Sequence, residues 1–198
     1  MSMLGERPKY TFTDAVIKYI EDLERTQSKS NYEIDGDRSK LAWFCGELGE
    51  TYLSNITKNT LLDMQQRLLE EPTRFGKPRS NTTVNRYITC LKTMLKKAAA
   101  EWDWIEEAPN VKMLQEPKKR VRWLTTEEVT RVLPHWPLHI QRMVKFSLYT
   151  GLRQFNVTHL ERSEIDLKNG RLNIPASKTK NKKPLSYKLH PLALQVIL

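Results

Sequence analysis

Two cations in the last third of the chain stand where they could handle a phosphate. Arg153 directly follows Thr150-Gly151-Leu152, where one apolar helical pattern stops and another starts. An arginine at such a turn has its head aimed by backbone geometry, and its planar fork suits a bidentate grip on phosphate oxygens. In phosphoryl transfer that grip would neutralise charge building on the nonbridging oxygens. Lys178 stands in a basic loop, Ser177-Lys178-Thr179-Lys180-Asn181, with Lys182 and Lys183 just beyond. Taken alone, Thr-Gly-Leu-Arg points no further than a structural arginine, so the weight falls on what surrounds these residues.

Other chemistries find little support. His135 and His139 are four apart, but Pro137 between them breaks the helix that would aim both at one metal. His159 and His190 add neither metal spacing nor triad order. Cys45 and Cys90 form no CxxC pair and no disulfide framework, and both sit in apolar helical patterns as core thiols of a reducing cytosol. No phosphate-cradling glycine loop or carboxylate cluster for a metal is present, so no cofactor is expected. Tyr149 ends an apolar helix and Tyr187 alternates within a strand, poor settings for a nucleophile.

The elements that must position the two cations read as follows. Trp123 opens the second half. Thr125 or Thr126 caps a helix with Glu127 and Glu128 in its first turn, ending near Pro134. A helix from about Pro137 to Tyr149 is stopped by Gly151, and another runs over 153–160. Residues 164–167 form a strand, Asn169-Gly170 a hairpin turn, 171–174 its partner and 185–189 a third strand; a last helix opens after Pro191. The first half reads as four helices: one capped by Thr13 or Asp14 and running to about Arg25, one over 37–48 after a polar loop at 26–36, one capped by Thr57 and ending near Pro72, and one over 81–101. The fold class is mainly α with a small antiparallel β-sheet. The domains are an N-terminal tail (1–9), a helical domain (10–110), a basic linker (111–122) punctuated by Pro117, and a second domain (123–198).

Charge separates these halves. Residues 1–110 carry 16 basic and 17 acidic side chains, whereas 111–198 carry 17 and 6, which makes the second half a target for a polyanion. Within the first half no acid occurs between Pro72 and Ala100, while Arg74, Lys77, Arg79, Arg86, Lys92, Lys96 and Lys97 fall there. With Asn81 and Thr82 beside them, these residues read as a phosphate and groove contact surface rather than an ordinary solvated face. Lys118, Lys119, Arg120 and Arg122 extend the basic run through the linker, which could wrap a duplex. Neither a signal peptide nor an apolar run of the ~18–20 residues that span a bilayer is present, so no membrane partner and a cytoplasmic location are expected.

In order and spacing, the apolar helix, Thr150-Gly151-Leu152-Arg153, the helix after it, Leu160 to Leu167, the Asn-Gly hairpin and Ser177-Lys178-Thr179 resemble the first motif block and β-hairpin lysine of the tyrosine site-specific recombinases, the phage-integrase family. Trp123 to Glu128 matches the way that family's catalytic domain commonly opens, and residues 10–110 fit its SAM-like, core-binding helical domain in length and helix count. The stretch from Thr150 to Leu167 looks most like integrases of bacterial prophages.

The resemblance implies that Arg153 binds the scissile phosphate and that Lys178 acts as general acid toward the departing 5′ hydroxyl. Lys180 is the alternative acid; Lys178 is preferred because Thr follows it, as in the family's common pattern. Lys180, Lys182 and Lys183 would depress the pKa of Lys178. Many members carry an acid three residues after the arginine, where this chain has Asn156, able to hydrogen-bond and buttress but not to bear charge. The family's His-x-x-Arg block and nucleophilic tyrosine are expected beyond Leu198. The chain thus resembles a DNA-binding, monomeric fragment, inactive alone. The full enzyme would be a homotetramer on double-stranded attachment-site DNA, recombining through a 3′-phosphotyrosine without ATP or metal. The rival reading is a non-catalytic DNA-binding protein, or a degenerate recombinase acting as a regulator.

Overall fold

The computed structural model describes residues 9–117 and 121–197. The chain divides into two compact units, one ending at Lys119 and the other beginning at Arg120. Most of the expected tail and the linker cations Lys118, Lys119 and Arg120 lie outside the described residues.

The first unit is built on α1 (Phe12–Thr26), α2 (Asn31–Leu48), α3 (Lys58–Glu70) and α4 (Asn81–Ala100). Side-chain caps set their starts. Thr11 and Asp14 form a reciprocal capping box at α1, and Ser30 and Glu33 form one at α2. Thr57 caps α3 and Ser80 caps α4. Two starts differ from expectation. At α1 the cap is Thr11, and Asp14 is its reciprocal acid. At α2 the helix opens well before Asp37, because a capping box can start a first turn that carries no apolar stripe. Asp37, in the second turn, is buried and is held by Lys29 and by Lys40, the latter at 3.1 Å. Phe12, Tyr19, Leu41, Phe44, Leu61, Leu68, Ile88 and Leu91 are fully enclosed and form the centre of the core.

The α3–α4 connection is a closed turn. Pro72 and Pro78 face each other as an antiparallel bridge, Thr73 N–H donates to Lys77 O at 2.8 Å, and Gly76 takes φ 70°. After α4 the chain turns back: Tyr10 stacks on Trp104 with ring centroids 3.7 Å apart, and Ile105 and Val111 enter the core. Residues 111–116 then run along α3 and α4. Asn85, itself buried, donates to Leu114 O and accepts from Leu114 N–H, both at 2.9 Å, while Gln65 and Lys92 donate to the carbonyls of Lys112 and Val111. The first half of the expected linker is therefore a strap on the helical unit.

The second unit contains α5 (Thr126–Val132), α6 (Leu138–Thr150), α7 (Gln154–Thr158), β1 (Ile165–Asp166), β2 (Arg171–Ile174), β3 (Leu185–Lys188) and α8 (Pro191–Ile197). The strands form an antiparallel sheet in the order β1-β2-β3, with Leu172 opposite both Ile165 and Tyr187. Its core is small: Phe146, Val157, Leu172, Ile174, Leu189 and Ala193. α7 and β1 are shorter than the sequence suggests. β1 stops at Asp166 because that carboxylate turns to accept from Asn169 N–H and Nδ2 at 3.0 and 2.6 Å, closing the loop in which Gly170 takes φ 61°. Among the described residues no helix is long and apolar enough to cross a membrane, and no group of three or more His, Cys, Asp or Glu could hold a metal.

Candidate functional site

The arginine turn is built by backbone demand. α6 ends at Thr150, and Gly151 follows in the left-handed region at φ 65°, its N–H bonded to Ser147 O. A Cβ added there would meet nothing within 4 Å, so glycine is required by dihedral rather than by space. Thr150 Oγ1 donates to Phe146 O at 2.7 Å, and Leu152 packs on the core of the unit. From β3, Tyr187 Oη donates to Thr150 O at 3.2 Å and so fastens the sheet to the turn; burial pushes the Tyr187 hydroxyl pKa up. Arg153 is the N-cap of α7 in extended conformation, with its side chain exposed. Among the described residues its guanidinium has no acidic partner. Asn156, three residues on, is 5% exposed and belongs to the packed side of α7.

Lys178 has a different environment. It ends a 3-10 turn, Ala176–Lys178, after β2. Thr179 Oγ1 closes the following loop by donating to Ala176 O at 3.0 Å and Lys183 O at 2.7 Å. The Lys178 ammonium reaches His159 O at 3.0 Å, Glu161 Oε1 at 2.6 Å and Glu164 Oε1 at 2.9 Å. Glu164 is buried, and Lys178 is the cation that answers its charge. Hydrogen bonds to Glu161 and then Glu164 hold the Lys178 pKa above its ordinary value, and the same lysine lowers that of Glu161. This reverses the expected depression by Lys180, Lys182 and Lys183, because two carboxylates in contact outweigh lysines that point into solvent. Lys180 is exposed on the loop.

Arg153 and Lys178 are thus brought to one short helix, but to its two ends. Lys178 grips the carbonyl of His159, six residues beyond Arg153; at ~1.5 Å per residue, about 9 Å of helix lies between.

In the helical unit the expected contact residues fall into two groups. Arg74, Lys77, Arg86 and Lys96 are exposed. Arg79 instead turns inward: it donates to Leu68 O at 3.4 Å and to Glu71 Oε2 at 3.0 Å, and lies 5.7 Å from the Tyr87 ring. Lys92, Asn81 and Thr82 serve the strap, donating to Val111 O, Gln115 O and Glu116 Oε2. Lys97 pairs with Glu101 at 2.8 Å, and Arg122, in the second unit, pairs with Glu128. Two residues that sequence reasoning passed over complete the exposed face of α4. Thr89 and Thr93 fall between Arg86 and Lys96 at three- and four-residue steps, and all four are exposed. That spacing was the available signal. The resulting stripe is polar, cationic at both ends and free of acids, suited to a phosphate backbone.

Residues 11–113 match the family model described as the phage integrase SAM-like domain. The integrase of Salmonella phage P22 is 27% identical over 217 residues, an alignment covering 100% of this chain and 55% of that protein. A shufflon-specific DNA recombinase of Escherichia coli is 29% identical over 136 residues, covering 64% of this chain and 35% of its own length. The chain therefore spans about half the length, or less, of these curated relatives. Among solved structures, a lambda integrase(75-356) dimer bound to a COC′ core site has a TM-score of 0.74 at 18% identity, covering 93% of this chain and 63% of that one. The Tn1549 transposon integrase in complex with a circular intermediate DNA gives 0.71 at 13% identity, covering 94% and 63%. At these identities the likeness is one of fold.

Proposed function

The chain belongs to the phage integrase family, whose SAM-like domain occupies residues 11–113, and on that footing we propose that it is the DNA-gripping and arginine–lysine part of a prophage-type tyrosine integrase. The helical unit holds duplex attachment-site DNA with the α4 stripe and the turn before it. Arg153 holds the scissile phosphate and neutralises charge on its nonbridging oxygens as the strand is cut. Lys178, protonated in its carboxylate clamp, gives its proton to the 5′ oxygen as the bond from that oxygen to phosphorus breaks, so that it departs as a hydroxyl, once the DNA has drawn the lysine away from Glu161 and Glu164. Strands are exchanged through a 3′-phosphotyrosine, by a homotetramer on the DNA in which each protomer handles one strand, in the cytoplasm and without ATP. The nucleophile is neither Tyr187, tied to Thr150 with its pKa raised, nor Tyr149 at the end of α6.

The observation that carries this reading is the arginine turn: an exposed guanidinium with no acidic partner among the described residues, on a backbone fixed by Gly151 and by the Tyr187 bond to Thr150. The test separates binding from cutting. Arg153→Ala and Lys178→Ala, placed in a protein that extends through its tyrosine, are expected to keep duplex affinity within a few-fold. Formation of the covalent protein–DNA adduct should fall by ~10²-fold or more. A regulator that only binds DNA would show the opposite: no adduct in any variant, weaker binding and a salt slope smaller by about 1.

A further inference from the structure

The turn between α3 and α4 carries an apolar side chain that its own fold does not need. Phe75 is 73% exposed, more than any other Phe, Leu or Ile among the described residues of the helical unit. The turn that holds it out is tight. Thr73 and Lys77 pair, Gly76 N–H donates to Thr73 O at 2.8 Å, and Arg79 secures the chain just after it to the end of α3. None of these bonds calls for an aromatic ring at position 75. The ring is surrounded by cations: the Arg74 guanidinium lies over it, 4.6 Å from its centroid, and Lys77 follows two residues later. With no acid between Pro72 and Ala100, the patch is an apolar tip in a positive field.

This inference rests on the reading that duplex DNA is the partner. We propose that Phe75 is a specificity residue that lies against thymine methyl groups at the floor of the major groove while Arg74 and Lys77 hold the phosphates beside it. Charge complementarity selects the polyanion. The coverage of the ring selects the mode of contact. A wedge driven between two base pairs needs both faces of the aromatic, but one face here is under a guanidinium. The other face and the edge stay open, which is enough for contact with a C5-methyl, the apolar mark of thymine in that groove.

The experiment uses the 198-residue chain with two duplex polymers that differ only in that methyl, poly(dA-dT) and poly(dA-dU), titrated at several salt concentrations. The wild-type chain is expected to bind the thymine polymer about fourfold more tightly, the worth of one buried methyl group. Phe75→Ala should bring that ratio to about 1 with an unchanged salt slope, and Phe75→Leu should keep part of it. Arg74→Ala should instead lower the slope by about 1 and leave the ratio. A thermal melt of each variant confirms that the fold is kept. Equal ratios in wild type and Phe75→Ala overturn the proposal, as does an equal loss of affinity for both polymers in Phe75→Ala, the mark of a wedge. Those outcomes leave the DNA reading standing if binding is salt-dependent; if neither polymer binds with a salt slope, the DNA reading falls and takes this one with it.

Discussion

Lys178 sits between two carboxylates and a helix-terminal carbonyl, and each favours its charged form. The pH behaviour follows from the two shifts. The lysine's pKa is raised above 10.5, so its side of the clamp is complete below that value and lost as pH rises through the raised one. Glu161's pKa is lowered below 4.5, so its side is complete above that value and lost as pH falls through the lowered one. Across neutral pH the clamp is closed, and only a competing anion opens it. Glu161→Gln should bring the lysine's titration down toward its ordinary value, measured by NMR at Nζ, and the double change with Glu164→Gln should bring it further. An unchanged midpoint would mean the carboxylates do not hold the ammonium in solution. At this scale the sequence marks Arg153 and Lys178 by type and neighbours, but not the clamp. Glu161 and Glu164 lie 17 and 14 positions from Lys178, and the lysines that crowd it in sequence turn away in space.

The α6–α7 corner shows how much rests on one element boundary. Its shape comes from Gly151 in the left-handed region, the Thr150 hydroxyl bonded back to Phe146, and Tyr187 reaching over from β3. Gly151→Ala meets no atom, so its cost is the dihedral alone, ~1–2 kcal/mol. Against the small core of the second unit, that loss should show as an earlier chemical-denaturation midpoint for this unit, with the helical unit's transition unmoved. Such boundaries are readable when a breaker states them, as Gly151, Pro72 and Pro191 do. They are less readable when a cap replaces the hydrophobic signal. The first turn of α2, Asn31 to Glu33, is polar, and only the Ser30–Glu33 box marks its start. β1 was shortened for a similar reason, since Asp166 bonds the loop rather than extending the ladder.

On the scale of the whole molecule, the separation into a near-neutral half and a strongly basic half survives in the two units, which net +1 and +9, but the boundary between them moves. Residues 111–116, proline-flanked and polar enough to read as a tether, are stitched down by a side-chain amide that pairs with the Leu114 backbone as a neighbouring strand would. By type Asn85 suits a solvent-facing or a backbone-pairing role equally; only its burial decides. Asn85→Ala should leave the Leu114 N–H and C=O unanswered, cost about 1–3 kcal/mol, and make the bonds of 111–116 the first sites of proteolytic nicking in an otherwise folded chain. Resistance there equal to wild type would show that Gln65 and Lys92 hold the strap unaided. The strap also sets a length. From Glu116, held by Asn85 and Thr82, to Thr125, the cap of α5, there are nine residue steps. Fully extended they reach no more than ~32 Å. The join is thus a short leash whose slack is stored on the helical unit: each residue of 111–116 that peels from α3 and α4 lengthens it by up to ~3.6 Å.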